Sequence, residues 1–242
     1  MRKLLFLCAC ACVGSHTVDV VLSIFREPQT CIDETVRTIN SSLSGYELRY
    51  FLYRKDGLPG SLENLGREGG TYLHHMITHY GDLGDHVLFT QACAHNPDNM
   101  QTRLTNEFAI TTHSLNLGGA EPGTCDGTVA YPMPRLREIY AMTNHYDFCP
   151  DMEFLSYMGG QFIVSKSRIK RHPQKFYEFL DSMLKAPPNH FIHKDIELVR
   201  DAGNRDRIRE TEQNDNANYF SFQLERAWSI IWDCMRASNS PC

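Results

Sequence analysis

The chain has 242 residues, of which 42% are hydrophobic and 22% charged, and its formal net charge is −5. This length and apolar content are enough for one sizeable core, and α/β proteins of this length are commonly a single domain. The slightly acidic balance argues against a general nucleic-acid-binding protein, because phosphate binding needs a concentrated basic surface.

The first residues have the pattern of a secretory signal. A basic start, M-R-K, precedes the apolar run L-L-F-L-C-A-C-A-C-V and the small residues Gly14-Ser15. The run is too short to span a bilayer comfortably, since about 20 residues are needed. We therefore predict a signal peptide at residues 1–15, a mature domain at residues 16–242, and a secreted protein or one in the lumen of the secretory pathway. The alternative is that the run is a first buried strand.

The cysteines favour export as well. Three of the nine lie in the predicted signal, and the even remainder of six fits disulfide bonds with 15 possible pairings. These six are Cys31, Cys93, Cys125, Cys149, Cys234 and Cys242. The sequence has no C-x-x-C pair, which argues against a structural zinc site or a thioredoxin-like redox pair. Asn40-Ser41-Ser42 is a possible N-glycosylation acceptor in an exported protein.

The mature chain begins with a strand, a helix and a second strand. Residues 17–25, T-V-D-V-V-L-S-I-F, are β-branched with little alternation, which is typical of a strand buried on both faces of a largely parallel sheet. Apolar residues at helical spacing follow between Ile32 and Leu43, and residues 46–53 form an aromatic-rich run. This order predicts the βαβ beginning of an α/β domain.

Residues 64–95 carry most of the functional information. Asn64 and Gly66 predict a turn, the residues from Tyr72 to Tyr80 a helix with one apolar face, and His86 to Gln91 a buried strand. The strand is followed by the residues Q-A-C-A-H, which end at His95. Because open α/β sheets bind ligands at the carboxyl ends of their strands, we predict a ligand site here.

The second half of the chain gives weaker signals. Residues 108–117 are a possible strand, and residues 135–144 and 176–184 are predicted helices. A glycine pair, Gly159-Gly160, predicts a turn into a short buried strand at residues 161–165. The charged residues 185–218 predict a polar loop or lid. A final amphipathic helix carries Phe222, Glu225, Trp228, Ile231 and Trp232.

Arg67 and Glu68 follow the Asn64–Gly66 turn at the predicted helix start. Backbone amides and the helix dipole favour an anion at such a position. An arginine there can bind a phosphate or carboxylate through two hydrogen bonds. The alternative is an ordinary surface pair between Arg67 and Glu68.

Several motifs together resemble a known group of proteins. The patterns are N-x-G-R-E-x-x-T-Y-L, H-Y-x-x-L-x-D-x-x-x-F-x-Q, G-x-Q-F-x-V-S and E-R-x-W, which span most of the chain from Asn64 onward. They are similar to an uncharacterised family of fungal, algal and bacterial proteins and, more remotely, to GT-A glycosyltransferases. The resemblance implies a single α/β domain of the nucleotide-diphospho-sugar transferase type, with a mostly parallel, mixed central sheet flanked by helices.

The resemblance also implies a nucleotide sugar as donor. Asn64, Gly66 and Arg67, with Glu68 and Gln91 beside them, would lie near its base or diphosphate. Residues 91–95 would occupy the place of the D-x-D metal pair, and this chain has Q-A-C-A-H instead. Mg²⁺ and Mn²⁺ prefer carboxylate oxygens, so dependence on a divalent metal stays open. Asp98 could substitute, although its neighbours Asn96-Pro97 predict a plain loop.

Transfer of a sugar to a glycan or another hydroxyl acceptor needs a group that takes the acceptor's proton. Glu225 is the preferred candidate over Asp151 and Glu153, because the resembling E-R-x-W stretch places it beside Trp228. His95 is the imidazole candidate for the same role. We expect Trp228 to stack on a sugar ring and Gln161, after the glycine pair, to contact substrate. The alternative is a core helix in which Trp228 and Trp232 are buried and Glu225 pairs with an arginine.

Two other functions compete with sugar transfer. Glu68, His75 and His79 share one predicted helix face, and with His95 they could ligate one metal ion in a secreted metalloprotein. The other possibility is a non-catalytic domain that binds a glycan or a protein.

Overall fold

The computed structural model describes residues 15–128, 131–133, 135–144, 149, 152–187, 190–193, 219–236 and 238–242. Nearly all of the predicted signal peptide, most of the predicted lid at residues 185–218, and Asp151 lie outside the described residues. Within these ranges, no helix combines the length and the apolar character needed to cross a membrane.

The described chain alternates strands and helices in its first half. The strands are β1 (Thr17–Ile24), β2 (Glu47–Arg54), β3 (His86–Gln91), β4 (Ser114–Asn116), β5 (Ala120–Thr124), β6 (Gly127–Thr128), β7 (Tyr131–Pro132), β8 (Phe154–Tyr157) and β9 (Phe162–Ser165). The helices are α1 (Gln29–Ser42), α2 (Arg67–Thr78), α3 (Pro97–Asn106), α4 (Arg135–Asn144), α5 (Lys166–Ile169), α6 (Gln174–Leu184) and α7 (Tyr219–Ile231), with a 3₁₀ turn at Phe191–His193.

The central sheet has five strands in the order β2-β1-β3-β9-β4. β1 is parallel to both β2 and β3, whereas β9 is antiparallel to β3 and β4. Four strands therefore share one direction, which confirms an α/β fold with a mixed central sheet flanked by helices. Because Phe162 at the start of β9 pairs with Phe89 near the end of β3, the preceding Gly159-Gly160 turn lies where the parallel strands end.

Both faces of the sheet are covered, which explains the unbroken apolar pattern of β1. Its residues Val18, Val20, Leu22 and Ile24 pack with α1 and α3, whereas Val21 packs on the opposite face with α2, α6 and α7. A strand buried on both faces has no position for exposed polar residues. The strand's residues Asp19 and Ser23, which are polar and buried, are instead bonded to side chains from other elements.

The middle of the chain differs from the prediction. The possible strand at residues 108–117 is confined to β4, and a second sheet in the order β7-β6-β5-β8 follows it. The prediction of a plain loop at Asp98 is wrong, because Asp98 lies in the first turn of α3. Asn96 caps this helix by accepting a hydrogen bond from the Asn99 amide, and Pro97 occupies its first position, where proline's missing N–H is not needed.

All six cysteines outside the predicted signal are paired. Cys31 in α1 is bonded to Cys93 beyond β3, Cys125 to Cys149, and Cys234 after α7 to Cys242, with Cα–Cα distances of 5.4, 6.1 and 5.9 Å. Disulfides persist in oxidising compartments and are rare in the cytosol. The three bonds are therefore consistent with a protein of the secretory type.

Candidate functional site

A cavity of about 250 Å³ opens where β1, β2 and β3 end. Its lining comes from the end of β1, the end of β2, the start of α2 and the end of β3. These residues are Ser23, Phe25, Glu27, Lys55, Asn64, Arg67, Glu68 and Gln91. Four predicted site residues, Asn64, Arg67, Glu68 and Gln91, therefore meet at the carboxyl ends of parallel strands, where open α/β sheets bind ligands.

The turn that leads into α2 has an unusual backbone. Gly66 and Arg67 both adopt positive φ, at 67° and 49°. A side chain at residue 66 would also be blocked, since its Cβ would lie 2.7 Å from Leu184 Cδ1. The left-handed conformation costs a non-glycine residue about 1–2 kcal/mol. Such strain is found most often at functional sites, where the surrounding structure holds it in place.

Lys55, the residue after β2, holds this turn. Its Nζ donates hydrogen bonds to the carbonyl oxygens of Leu65 and Arg67, each at 2.5 Å, so it clamps both sides of Gly66. The side chain is 3% exposed, and this burial lowers the pKa of Lys55 to about 8. The clamp fixes the direction in which the Arg67 side chain leaves the backbone.

Arg67 lies between two carboxylates and an aromatic ring. Its Nη1 donates to Glu225 Oε2 at 3.1 Å, and its Nε is 3.7 Å from Glu68 Oε2. The guanidinium carbon sits 4.5 Å from the ring centre of Phe222. The Arg67 side chain is 28% exposed and lines the cavity.

Glu225 is held by several donors besides Arg67. Its Oε1 accepts hydrogen bonds from Arg226 Nη1 at 2.6 Å and from the Gly159 amide at 2.7 Å. Arg226 also donates to Glu121 in β5, so the second sheet, α7 and the start of α2 are linked through charged groups. Glu225 does not line the cavity. It positions Arg67 and the glycine turn, which matches the alternative in which Glu225 pairs with an arginine.

Glu68 is the buried carboxylate that lines the cavity. Its side chain packs against Gly160, where a Cβ would lie 2.8 Å from Glu68 Cγ and 2.9 Å from Oε1. Burial raises the pKa of Glu68, Arg67 and Lys55 act to lower it, and Glu225 raises it further. Tyr72 holds the same turn by donating to the Gly160 carbonyl oxygen at 2.7 Å.

The other predicted contacts are not among the residues that line the cavity. The Gln161 side chain is buried, accepts from the His95 amide at 3.2 Å and donates to Thr90 at 3.1 Å, so it fixes the backbone of His95. His95 is exposed beside Gly159. Trp228 is 0% exposed and stacks on Trp232 with ring centres 5.4 Å apart. In this structure the ring of Trp228 therefore offers no face to a sugar, which matches the alternative of a core helix.

Comparison with protein-family models, with curated proteins and with solved structures finds no match. The resemblance to GT-A glycosyltransferases stays a prediction from sequence motifs. The chemistry of the cavity is accordingly inferred from its own residues.

The predicted histidine metal site is not assembled. Across the described ranges, no group of three or more His, Cys, Asp or Glu side chains is placed to hold a metal ion. His75 is buried, bonds to Tyr53 through Nδ1 at 3.1 Å and stacks on His79 at 4.8 Å. Glu68 and His95 lie apart from these rings, at the Gly159-Gly160 turn. Helical spacing does bring His75 and His79 together, and both rings contact Phe51, but Glu68 packs instead against Gly160.

Half of the cavity lining was not predicted from the sequence. The missed residues are Ser23, Phe25, Glu27 and Lys55. Each lies at or just beyond the end of β1 or β2, both of which were predicted with nearly correct boundaries. Ligands bind at the carboxyl ends of strands in open α/β sheets, and this rule, which predicted the site at the end of β3, applies equally to β1 and β2.

Proposed function

We propose that this chain is a glycosyltransferase-like protein that binds a nucleotide sugar in the cavity and transfers the sugar to a hydroxyl acceptor. The observation that carries the proposal is the position of Arg67, at the start of a 12-residue helix and at the edge where three parallel strands end. The mixed sheet and the motifs around Asn64 support the GT-A type of fold.

The diphosphate of the donor is assigned to Arg67 and the start of α2. A guanidinium can bind two phosphate oxygens at once. No side chain caps α2, so its first amides face the anion with the positive end of the helix dipole. Asn64 and Gln91, which line the same cavity, provide amide groups for the base or the ribose.

The proposed donor site works without a D-x-D pair. The segment after β3 supplies Gln91 and His95 instead of two carboxylates, and Asp98 belongs to α3. Arg67 offers the positive charge that a divalent metal would otherwise bring to the diphosphate. We expect donor binding that persists in the presence of EDTA.

His95 is the proposed proton acceptor, with Glu225 as a positioning residue. In the transfer step the acceptor oxygen forms a bond to the anomeric carbon, and the bond from that carbon to the diphosphate oxygen breaks. The diphosphate leaves with the electron pair, and the acceptor's proton goes to the His95 imidazole. The Gln161 side chain fixes the His95 backbone for this role.

A second candidate is recognition of the same ligand without transfer. It is favoured by one observation, that both carboxylate oxygens of Glu225 are engaged, by Arg67, Arg226 and the Gly159 amide. A radiolabelled sugar that stays on its nucleotide in the presence of glycan acceptors and water would select this candidate.

Export through the secretory pathway is part of the proposal. It rests on the residues at the start of the chain and on the three disulfides. Asn40 of the possible glycosylation motif is exposed at the end of α1, where a glycan would have room.

The test is a thermal-shift panel of nucleoside diphosphates and their sugars, with and without EDTA. A ligand that binds only the folded state stabilises it by RT ln(1 + c/Kd), where c is the free ligand concentration, and so raises the melting temperature. At least one nucleotide sugar is expected to stabilise the wild type and the Arg37→Ala control, in which an exposed arginine of α1 is removed, but not Arg67→Ala. The metal alternative would be selected if no nucleotide or nucleotide sugar stabilises the protein, whereas Cu²⁺ or Zn²⁺ does so and alanine substitutions at His75 and His79 abolish that effect.

A further inference from the structure

The Arg67 guanidinium has to be shared between a ligand and two carboxylates. Glu225 Oε2 is 3.1 Å away and Glu68 Oε2 is 3.7 Å away. Two negative charges thus face one positive charge at the point where the cavity would receive an anion. Like charges brought together in a partly desolvated site disfavour each other's ionised forms.

The two carboxylates are not equivalent. Glu225 has compensation of its own, from Arg226 at 2.6 Å and the Gly159 amide at 2.7 Å, and it does not line the cavity. Glu68 lines the cavity and is packed against Gly160 on its inner side. An anion that enters the cavity and binds Arg67 therefore meets Glu68 first.

We propose that an anion binds at Arg67 together with one proton, which is taken up by Glu68. Glu68 then determines which anions the cavity accepts. The ionised Glu68 carboxylate repels a phosphate oxygen. The protonated carboxyl presents an O–H group that can donate a hydrogen bond to a phosphate oxygen. The inference rests on the proposed function only in taking a diphosphate as the natural ligand, because any oxyanion at Arg67 would be coupled in the same way.

The charges that face Glu68 act on its pKa in both directions. Burial raises its pKa, Glu225 from α7 raises it further, and Arg67 with Lys55 at the end of β2 lowers it. Glu27, across the same cavity, adds another carboxylate. An anion on Arg67 acts in the same sense as Glu225 and screens the guanidinium from Glu68. The pKa of Glu68 consequently rises when the site fills, and affinity falls as pH rises.

Sulfate is a suitable probe, because its charge is constant over the pH range of the experiment. The uniformly ¹³C,¹⁵N-labelled full chain is titrated with sulfate at several pH values while the α2 amides and the Glu68 carboxyl carbon are followed by NMR. We expect sulfate affinity to fall by up to about tenfold for each pH unit between the Glu68 midpoints of the free and the sulfate-bound protein, as one linked proton requires, and to become constant above the second. The Glu68 midpoint itself should move to higher pH when sulfate is saturating.

Two variants separate Glu68 from the general charge of the cavity. In Glu68→Gln, sulfate affinity should be independent of pH below about 8, where Lys55 begins to lose its proton, and should exceed that of the wild type above the Glu68 midpoint. Glu27→Gln removes a different carboxylate from the cavity lining and should keep the pH dependence. A Glu68 midpoint in the wild type that sulfate does not move overturns the inference, whether or not the Glu68→Gln variant folds.

The outcome is distinguishable from failure of the proposed function. Sulfate binding with proton uptake, but no binding of UDP-glucose or any other nucleotide sugar, would support the coupling and overturn the donor assignment. Sulfate binding without proton uptake overturns the coupling alone. Binding of neither sulfate nor a nucleotide sugar at any pH overturns both.

Discussion

Substitution of Gly160 by alanine should destabilise the candidate site, in large part through one contact with Glu68. Gly160 has φ of 58°, which costs an alanine about 1–2 kcal/mol. The new Cβ would also lie 2.8 Å from Glu68 Cγ, a contact that forces the buried side chain to shift and costs about another 1–3 kcal/mol. We expect Gly160→Ala to lower the free energy of unfolding by about 2–5 kcal/mol.

The neighbouring glycine provides the matched control. Gly159 has a similar φ of 77°, but a Cβ there would come no closer than 3.3 Å, to His95 Cδ2 on an exposed side chain. Gly159→Ala should cost only the backbone share, about 1–2 kcal/mol. Urea denaturation of both variants, and of each combined with Glu68→Ala, measures the coupling.

The double-mutant cycle decides whether Glu68 is the cause. Glu68→Ala should recover about 1–2 kcal/mol in the Gly160→Ala background and nothing beyond additivity in the Gly159→Ala background. Equal losses at the two glycines, or no coupling between Gly160 and Glu68, would refute the packing described for the wall of the cavity.

Three further predictions concern the clamp, the far end of the sheet and the disulfides. Lys55→Met removes the donor from two buried carbonyls and should weaken nucleotide-sugar affinity. Because burial lowers the pKa of Lys55 to about 8, urea titrations should also show the wild type gaining stability over the variant between about pH 8 and pH 10.5, and a pH-independent difference would contradict this. Burial acts to raise the pKa of Asp19, but the neighbouring His75, whose Nε2 is 3.8 Å from Asp19 Oδ2, and hydrogen bonds from Arg49 and the Gly84 amide leave it lowered. Asp19→Asn should therefore lower the free energy of unfolding by about 3–5 kcal/mol at pH 7. This difference from wild type should vanish as pH falls below 3.8, and equal stabilities at pH 7 would contradict the prediction. Loss of the Cys31–Cys93 bond, which spans 62 residues, should lower the free energy of unfolding by about 4 kcal/mol. Loss of Cys234–Cys242, which spans 8, should lower it by about 2.5 kcal/mol. The reverse order in paired serine variants would contradict the chain-entropy argument.

The elements that could be predicted from the sequence are those with a strong local signal. The boundaries of β1 and β3 follow from continuous apolar runs, which only a strand buried on both faces can carry. The second sheet has no such signal. β5 has the sequence A-E-P-G-T, with no alternation and only one β-branched residue, Thr124, and it exists because β6 and β8 pair with it.

The site was predictable where it depends on strand ends and not where it depends on distant contacts. Arg67 and Gln91 lie at a helix start and a strand end, which local patterns reveal. The pairing of Arg67 with Glu225 joins residues 158 positions apart, and nothing in either segment indicates it. The same helix turn that brings Glu225 to Arg67 directs Trp228 into the core, so a motif that suggested two ligand contacts supplies one positioning residue and one core residue.

Calorimetric titration of a nucleotide sugar into the wild type and Arg67→Ala tests the central claim most directly. The nucleotide sugar is the one that gives the largest thermal shift, and Arg37→Ala serves as the control for removal of an arginine from the surface. The account predicts saturable binding with one site per chain in the wild type and in Arg37→Ala, retained in EDTA, and at least about a tenfold loss of affinity in Arg67→Ala, as expected for a charged hydrogen bond worth about 1.5–3 kcal/mol. Equal affinity of Arg67→Ala and wild type would contradict it.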